Sequence, residues 1–206
     1  ILYISPLKSL TSNLEDNLKK IIFELNIQCK VEKRTSDVPS NKKKKQLFSI
    51  PDFLLTTPES FSLMIANPDA LNFLENIDYV IIDEITELFN EKRGDQLSLS
   101  LSKLNSINKK FVLIGLSATV SNFKNLNEWI SFKGKTKLIS NKKKKKIKID
   151  VLYSKKIPLV GHSPNFAIDI IKRKIINKKT IIFVNTRSQS ELLHNELLES
   201  LNSYTK

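Results

Sequence analysis

Two adjacent carboxylates, Asp83 and Glu84, close an unbroken apolar run, Tyr79-Val80-Ile81-Ile82. A continuously apolar run reads as a strand buried on both faces, which holds its backbone rigid. The carboxyl edge of a parallel sheet is where ligands settle. There the first carboxylate can hold Mg²⁺, directly or through water, and the second can orient or deprotonate an attacking water. Asp-Glu alone is common at strand ends. Set between that apolar run and Ile85-Thr86-Glu87-Leu88, the pair is more specific.

A second apolar run ends in small hydroxyl residues, Ile114-Gly115-Leu116-Ser117-Ala118-Thr119. Small side chains permit close approach to a neighbouring loop, and hydroxyls can bond a carboxylate there. The same residues would also serve as a helix cap or turn. Ser5-Pro6-Leu7-Lys8-Ser9-Leu10 and Thr56-Thr57-Pro58-Glu59-Ser60 each follow an apolar run and precede a helical pattern. Hydroxyls, backbone N–H groups and a helix N-terminus in that position can grip a phosphodiester backbone without reading bases. Either segment is equally a proline in the first helical turn behind a Ser or Thr cap.

These segments need a scaffold of alternating strands and helices, which argues for an α/β fold with a mainly parallel sheet. Strands are predicted at Leu2–Ser5, Cys29–Glu32, Phe53–Thr56, Tyr79–Asp83, Phe111–Leu116 and Ile181–Val184. Ile181–Val184 shares the fully buried pattern, and Ile147–Tyr153 alternates as a one-sided extended segment. Leu10, Leu14, Leu18, Ile21, Ile22 and Leu25 form one stripe at helical spacing. Phe166–Ile176 forms another, and Gln96–Leu104 fits a helix through Leu97, Leu101 and Leu104. Ser188-Gln189-Ser190-Glu191 is a capping-box pattern opening a last helix. Trp129 reads as a helix residue packed on the core. The lysine run 42–45 reads as a solvated helix start or loop, and the run 142–146 as an exposed linker.

In this order and spacing the segments resemble superfamily 2 helicases, within them the large helicase-related (Lhr-like) proteins of bacteria and archaea. The resemblance is carried by Pro6-Leu7-Lys8, Arg34-Thr35-Ser36-Asp37, Thr56-Thr57-Pro58-Glu59-Ser60, Asp83-Glu84-Ile85-Thr86, Lys92-Arg93-Gly94 and Gly115-Leu116-Ser117-Ala118-Thr119. It covers residues 1 to about 130, and Ile182-Phe183-Val184-Asn185-Thr186-Arg187 resembles the first motif of a second RecA-like domain. It implies an α/β, RecA-like parallel sheet flanked by helices: a first domain over 1–141, a lysine-rich linker over 142–148, and the beginning of a second domain over 149–206. It implies ATP and Mg²⁺ as cofactors. Asp83 would serve the metal and Glu84 the hydrolytic water, while Thr86, Ser117, Ala118 and Thr119 would couple nucleotide state to domain motion. Pro6, Lys8, Arg34, Thr57, Pro58 and Glu59 would line a nucleic-acid track, and Asn185, Thr186 and Arg187 would approach the strand from the second domain. DNA as the partner comes from the resemblance alone.

The sequence also departs from the family pattern. A phosphate-binding loop, Gly-x-x-x-x-Gly-Lys-[Ser/Thr], needs two glycines at fixed spacing. Gly134-Lys135-Thr136 supplies the ending, but position 129 is Trp. Thr86 stands where the family has His, and Ser36 where it has Gly. The family's last motifs, which carry an arginine finger, are not found. The expectation is therefore a fragment of an ATP-dependent DNA helicase or translocase that hydrolyses no ATP alone. A separate chain carrying the missing parts is a possible partner. The alternative is a non-catalytic nucleic-acid-binding remnant of a split or decayed helicase gene; a metal-dependent nuclease would need a further acidic cluster.

Bulk properties narrow the classes. Lys plus Arg number 34 against 21 Asp plus Glu, a net charge of +13. Such an excess favours polyanions, chiefly nucleic acid or an anionic membrane surface, though an AT-rich genome would enrich lysine by codon usage alone. A single cysteine, Cys29, excludes an internal disulfide and a multi-cysteine metal site, which suits a reducing, cytoplasmic setting. The apolar runs are too short to span a bilayer. The opening Ile1-Leu2-Tyr3-Ile4 is no signal peptide and reads as a strand entered partway through a longer protein.

Overall fold

The computed structural model describes residues 1–89, 91–120, 122–130, 136–141, 147–153 and 167–203. The chain divides into two compact units, Ile1–Ile139 and Ser140–Lys206. The lysine run 142–146, Phe166, His162 and the Gly134-Lys135 pair fall outside the described residues.

The first unit holds five parallel strands, β1 (Leu2–Ile4), β2 (Val31–Arg34), β3 (Phe53–Thr56), β4 (Tyr79–Ile82) and β5 (Val112–Gly115), in the order β2-β3-β1-β4-β5. Ile4 lies beside Thr56 on one side and Ile82 on the other, and Ile82 lies beside Gly115. The connection leaving β1 runs towards β2, and the one leaving β4 runs towards β5. The strand order therefore reverses between β1 and β4. In open α/β sheets the ligand crevice lies at the carboxyl ends beside such a reversal.

Seven helices of this unit are α1 (Lys8–Glu24), α2 (Ser40–Phe48), α3 (Pro58–Ile65), α4 (Leu71–Glu75), α5 (Ile85–Phe89), α6 (Lys92–Ile107) and α7 (Phe123–Ile130). The expected helix over Gln96–Leu104 is the middle of α6, and the lysine run 42–45 lies inside α2. One sheet face, with Leu2, Ile4, Leu54, Val80 and Ile82, is buried in a single core with Phe61 and Met64 of α3 and Leu97, Leu101 and Leu104 of α6. Trp129 packs at the edge of this core, with its ring edge-on to Phe89 at 5.9 Å. Asn108 staples the core's far end: its Nδ2 donates to the carbonyls of Leu74 (3.2 Å) and Ile77 (2.8 Å). Its Oδ1 accepts the Lys110 N–H at 2.9 Å, closing the turn into β5.

The other sheet face is covered unevenly, and two expectations change there. α1 lies over β2 and β3, so Leu55 is fully buried, while Tyr79 (45% exposed), Val112 (50%) and Ile114 (36%) remain open. β4 is thus buried on one side only, not on both, because among the described residues no helix of this unit covers its second face. The stripe of α1 is also wider than the strands beneath it. Its buried positions are Thr11 and Glu15, whereas Leu10, Ile21 and Leu25 of the same stripe are exposed.

The second unit has α8 (Ile168–Ile175) and α9 (Arg187–Ser203) among its described residues. Strands expected at Ile147–Tyr153 and Ile181–Val184 do not form there. A strand needs a neighbour for its N–H and C=O groups, and none is paired with either segment; Ile147, Ile149, Ile181 and Phe183 are exposed. The helix cap falls two residues before the expected Ser188: Thr186 Oγ1 accepts the Gln189 N–H at 3.2 Å, and the Gln189 side chain accepts the Asn185 N–H at 3.2 Å. This Thr-x-x-Gln exchange is a shifted form of the capping box.

Candidate functional site

The tip of β4 is held from both sides. The Asp83 N–H donates to Ile4 O at 2.8 Å, the Leu116 N–H to Ile82 O at 2.8 Å, and the Ile85 N–H to Leu116 O at 3.0 Å. Asp83 therefore sits at the carboxyl edge beside the strand-order reversal, with its side chain half-exposed. Its Oδ1 accepts the Glu84 N–H at 3.0 Å. Glu84 has φ of 45°. A non-glycine residue in the left-handed region costs about 1–2 kcal/mol, and such strain concentrates at functional sites. The bend at Glu84 leads directly into α5, which starts at Ile85.

Gly115 explains how β5 approaches so closely. A Cβ there would lie 2.7 Å from Ile85 Cδ1, so the Ile85 side chain closes directly over the strand and would have to shift for any larger residue. The next turn of β5 then meets α5: Thr86 Oγ1 and Ser117 Oγ are 2.7 Å apart. Ser117 donates its proton to Thr119 O at 2.8 Å, so Thr86 is the donor to Ser117. Ser117 also accepts the Thr119 N–H at 3.4 Å. Ala118 is exposed on the same turn. Threonine, shorter than the family's histidine, thus reaches the Ser117-Ala118-Thr119 turn by itself.

One residue of this cluster carried no sequence signal. Tyr3 lies on β1 beside Ile81, with its phenol close to Asp83. Burial, the neighbouring Asp83 carboxylate and the charge of Glu84 all push the phenol above its ordinary range. Only the β1–β4 register brings it there.

The expected nucleic-acid residues separate into two groups. Lys8 and Glu59 are exposed; Lys8 Nζ donates to Ser36 Oγ. Pro6, Arg34, Thr57 and Pro58 have buried side chains. The Arg34 guanidinium is turned onto α2, donating to Lys43 O at 2.6 Å and Gln46 Oε1 at 3.2 Å. Thr57 caps α3 by accepting the Ser60 N–H, and Pro58 takes the first helical position, where its missing N–H costs nothing. Glu59 pairs with Arg93, Nε to Oε1, at 2.6 Å. Burial alone would raise the Glu59 carboxyl, but bonds from Arg93, its own N–H and Thr57 outweigh that and hold it below the usual range. Asn185, Thr186 and Arg187 are exposed at the start of α9 in the second unit.

The donor set fits a hard cation in part. Carboxylate oxygens suit Mg²⁺, and Asp83 keeps lone pairs free beyond its bond to the Glu84 N–H. No group of three or more His, Cys, Asp or Glu is placed to hold a metal among the described residues. The four glycines of the chain, Gly94, Gly115, Gly134 and Gly161, include no pair spaced for a phosphate loop.

A parallel sheet with paired acids at one strand tip, followed by a threonine hydrogen-bonded to the Ser-Ala-Thr turn at the next, is the architecture of a RecA-like superfamily 2 helicase core. The sequence matches the DEAD/DEAH box helicase family over residues 1–129, and the chain belongs to that family. It is 37% identical over 209 residues to ATP-dependent helicase Lhr-Core of Methanocaldococcus jannaschii, covering 93% of this chain and 24% of the relative. It is 34% identical to the Lhr-Core helicase of Saccharolobus solfataricus, covering 92% and 23% respectively. The chain thus spans about a quarter of the length of these curated relatives. The solved structure of Mycobacterium smegmatis helicase Lhr bound to ssDNA and AMP-PNP superposes with a TM-score of 0.80 at 28% identity, covering 99% of this chain and 28% of that one. No helix among the described residues is long and apolar enough to cross a membrane.

Proposed function

We propose that this chain is part of the motor core of an ATP-dependent DNA helicase or translocase. The observation that carries this reading is the Thr86–Ser117 hydrogen bond, which ties the Asp83-Glu84 tip to the Ser117-Ala118-Thr119 turn. Asp83 would hold Mg²⁺, and Glu84 would orient the attacking water. The Mg²⁺–ATP complex, when bound, supplies the phosphoryl group and the charge neutralisation that its transfer needs. Thr86 and Ser117 would pass a shift of the carboxylate tip to β5. Single-stranded DNA would lie along the backbone of the Pro6 and Thr57–Glu59 segments, with Lys8 nearby and Asn185, Thr186 and Arg187 as contacts from the second unit. The net charge of +13 supports a polyanionic partner. A reducing, cytoplasmic setting belongs to the same reading.

By itself the chain hydrolyses no ATP at a useful rate, since these 206 residues contain no loop to grip the β- and γ-phosphates. Another segment, from the same or a separate chain, supplies that loop. The open apolar face of β4 and β5 supports this, because contiguous apolar surface of this kind is normally covered. The test is phosphate release with single-stranded DNA present. The chain alone is expected to be silent, and addition of a polypeptide bearing the phosphate loop should give turnover that Glu84→Gln abolishes. Brisk DNA-stimulated turnover by the chain alone, lost in Glu84→Gln, would defeat the inactivity claim. The glycine spacing also favours a second reading, a non-catalytic module that keeps the nucleic-acid grip. Salt-dependent DNA binding with no response to nucleotide, even after the loop is supplied, distinguishes it.

A further inference from the structure

The first turn of α6 carries Lys92-Arg93-Gly94, to which nothing above assigns a task. The Arg93 guanidinium donates from Nε to Glu59 Oε1 at 2.6 Å and from Nη2 to Pro6 O at 2.8 Å. Glu59 lies in the first turn of α3, and Pro6 follows β1. One planar fork therefore spans two segments that leave different strands. A lysine ammonium has no such fixed two-pronged geometry.

Gly94 determines where that fork stands. It is buried, and a Cβ on it would lie 2.0 Å from Leu88 O. The first turn of α6 thus sits directly on the last turn of α5, and α5 opens with Ile85 and Thr86 beside the carboxylates. The chain of contacts runs from the Asp83-Glu84 tip through α5 and Gly94 to Arg93, and from there to both backbone segments. A half-exposed ion pair adds little to stability, so stability does not account for so exact a placement.

We propose that Arg93 is a positioning residue that holds the Pro6 and Glu59 segments in one register for a single-stranded nucleic-acid backbone and ties that register to the carboxylate tip. This rests on the nucleic-acid reading above and deepens it. Arg93 acts through its two partners and does not itself contact phosphate. A bridge cut at either end is cut, so the effects of its two ends do not add.

The test is fluorescence anisotropy of the 206-residue chain with labelled oligo-dT across a salt series. Arg93→Ala should bind about tenfold more weakly, the scale of losing charge-assisted hydrogen bonds, with an unchanged salt slope. Arg93→Lys should restore that affinity only in part. Glu59→Ala should weaken binding, and Glu59→Ala with Arg93→Ala should be no weaker than the poorer single variant. A salt slope shallower by about 0.7 in Arg93→Ala marks a lost phosphate contact and overturns the proposal. Tighter binding by Glu59→Ala, or additive losses in the double variant, overturns it as well. If circular dichroism shows Arg93→Ala unfolded, Arg93→Lys and Glu59→Ala decide alone. A wild-type chain that fails to bind sinks the nucleic-acid reading and this inference together; a binding wild type with an indifferent Arg93→Ala sinks this inference only.

Discussion

Gly94→Ala sets two physical effects against each other, and the structure decides the sign. Gly94 is the third residue of α6. Alanine is the better helix former, by up to about 1 kcal/mol, so local propensity alone predicts a more stable protein. The added Cβ, however, would lie 2.0 Å from Leu88 O and 2.8 Å from Leu88 C. Both are backbone atoms of the last turn of α5, so no side chain can swing aside. Relief needs α6 to retreat by about 1 Å, against a core in which Leu97, Leu101 and Leu104 are already fully packed. Overpacking of this kind costs about 1–3 kcal/mol and at times more. The net expectation is a loss of about 1–2 kcal/mol, or about 2–8 °C in melting temperature for a unit of this size. Thermal and urea unfolding followed by circular dichroism measure it. The retreat would also pull Arg93 from Pro6 and Glu59, so DNA affinity should fall together with stability. An unchanged or raised melting temperature would refute the close-packing argument, and with it the claim that Gly94 sets the position of Arg93.

Three further outcomes follow from the same contacts. Thr86→Val keeps the side-chain shape and deletes the donor to Ser117; urea unfolding should show a loss of about 1 kcal/mol, while Thr86→Ser stays near wild type. Equal losses in the two variants would count against the hydrogen bond. Asn108→Leu leaves the Leu74 and Ile77 carbonyls and the Lys110 N–H without their partner. About 3 kcal/mol should be lost, and a loss below about 1 kcal/mol would mean that water replaces the side chain. Glu59, Glu32 and Asp37 have carboxyls held below their ordinary values in the folded chain. Their contribution is therefore present above the unfolded values near 4.5 and 3.8 and is lost as pH falls through the lower folded values. Urea midpoints measured from pH 7 down to 3 should fall at the acid end, less steeply in Arg93→Ala; profiles of the two proteins that run parallel would contradict the pairing.

The two halves of the candidate site differed in how far their residues announced them. Apolar runs ending in Asp83-Glu84 and in Ser117-Ala118-Thr119 carry their chemistry in consecutive residues, because a strand delivers whatever follows it to the sheet edge. The same holds for the strand at Phe53–Thr56 and for the proline at the start of α3. Arg34 and Thr57 showed the limit of that logic. A basic or hydroxyl residue after a strand looks the same in sequence whether or not it also satisfies a neighbouring helix, as Arg34 does α2 and Thr57 does α3.

The sequence by itself determined the alternation of strands and helices, the parallel class of sheet and the family, because periodicity and motif order are local properties of the chain. The tertiary structure alone decided which strands are neighbours, and so that Tyr3 meets Asp83, that Thr86 reaches Ser117, and that Arg93 bridges segments 34 and 87 residues away. It also decided that the second face of β4 lies open and that Ile181–Val184 forms no strand. The physical reason is that burial and strand pairing depend on which other segments come to lie alongside, and hydrophobicity read along a chain carries no record of its neighbours in space.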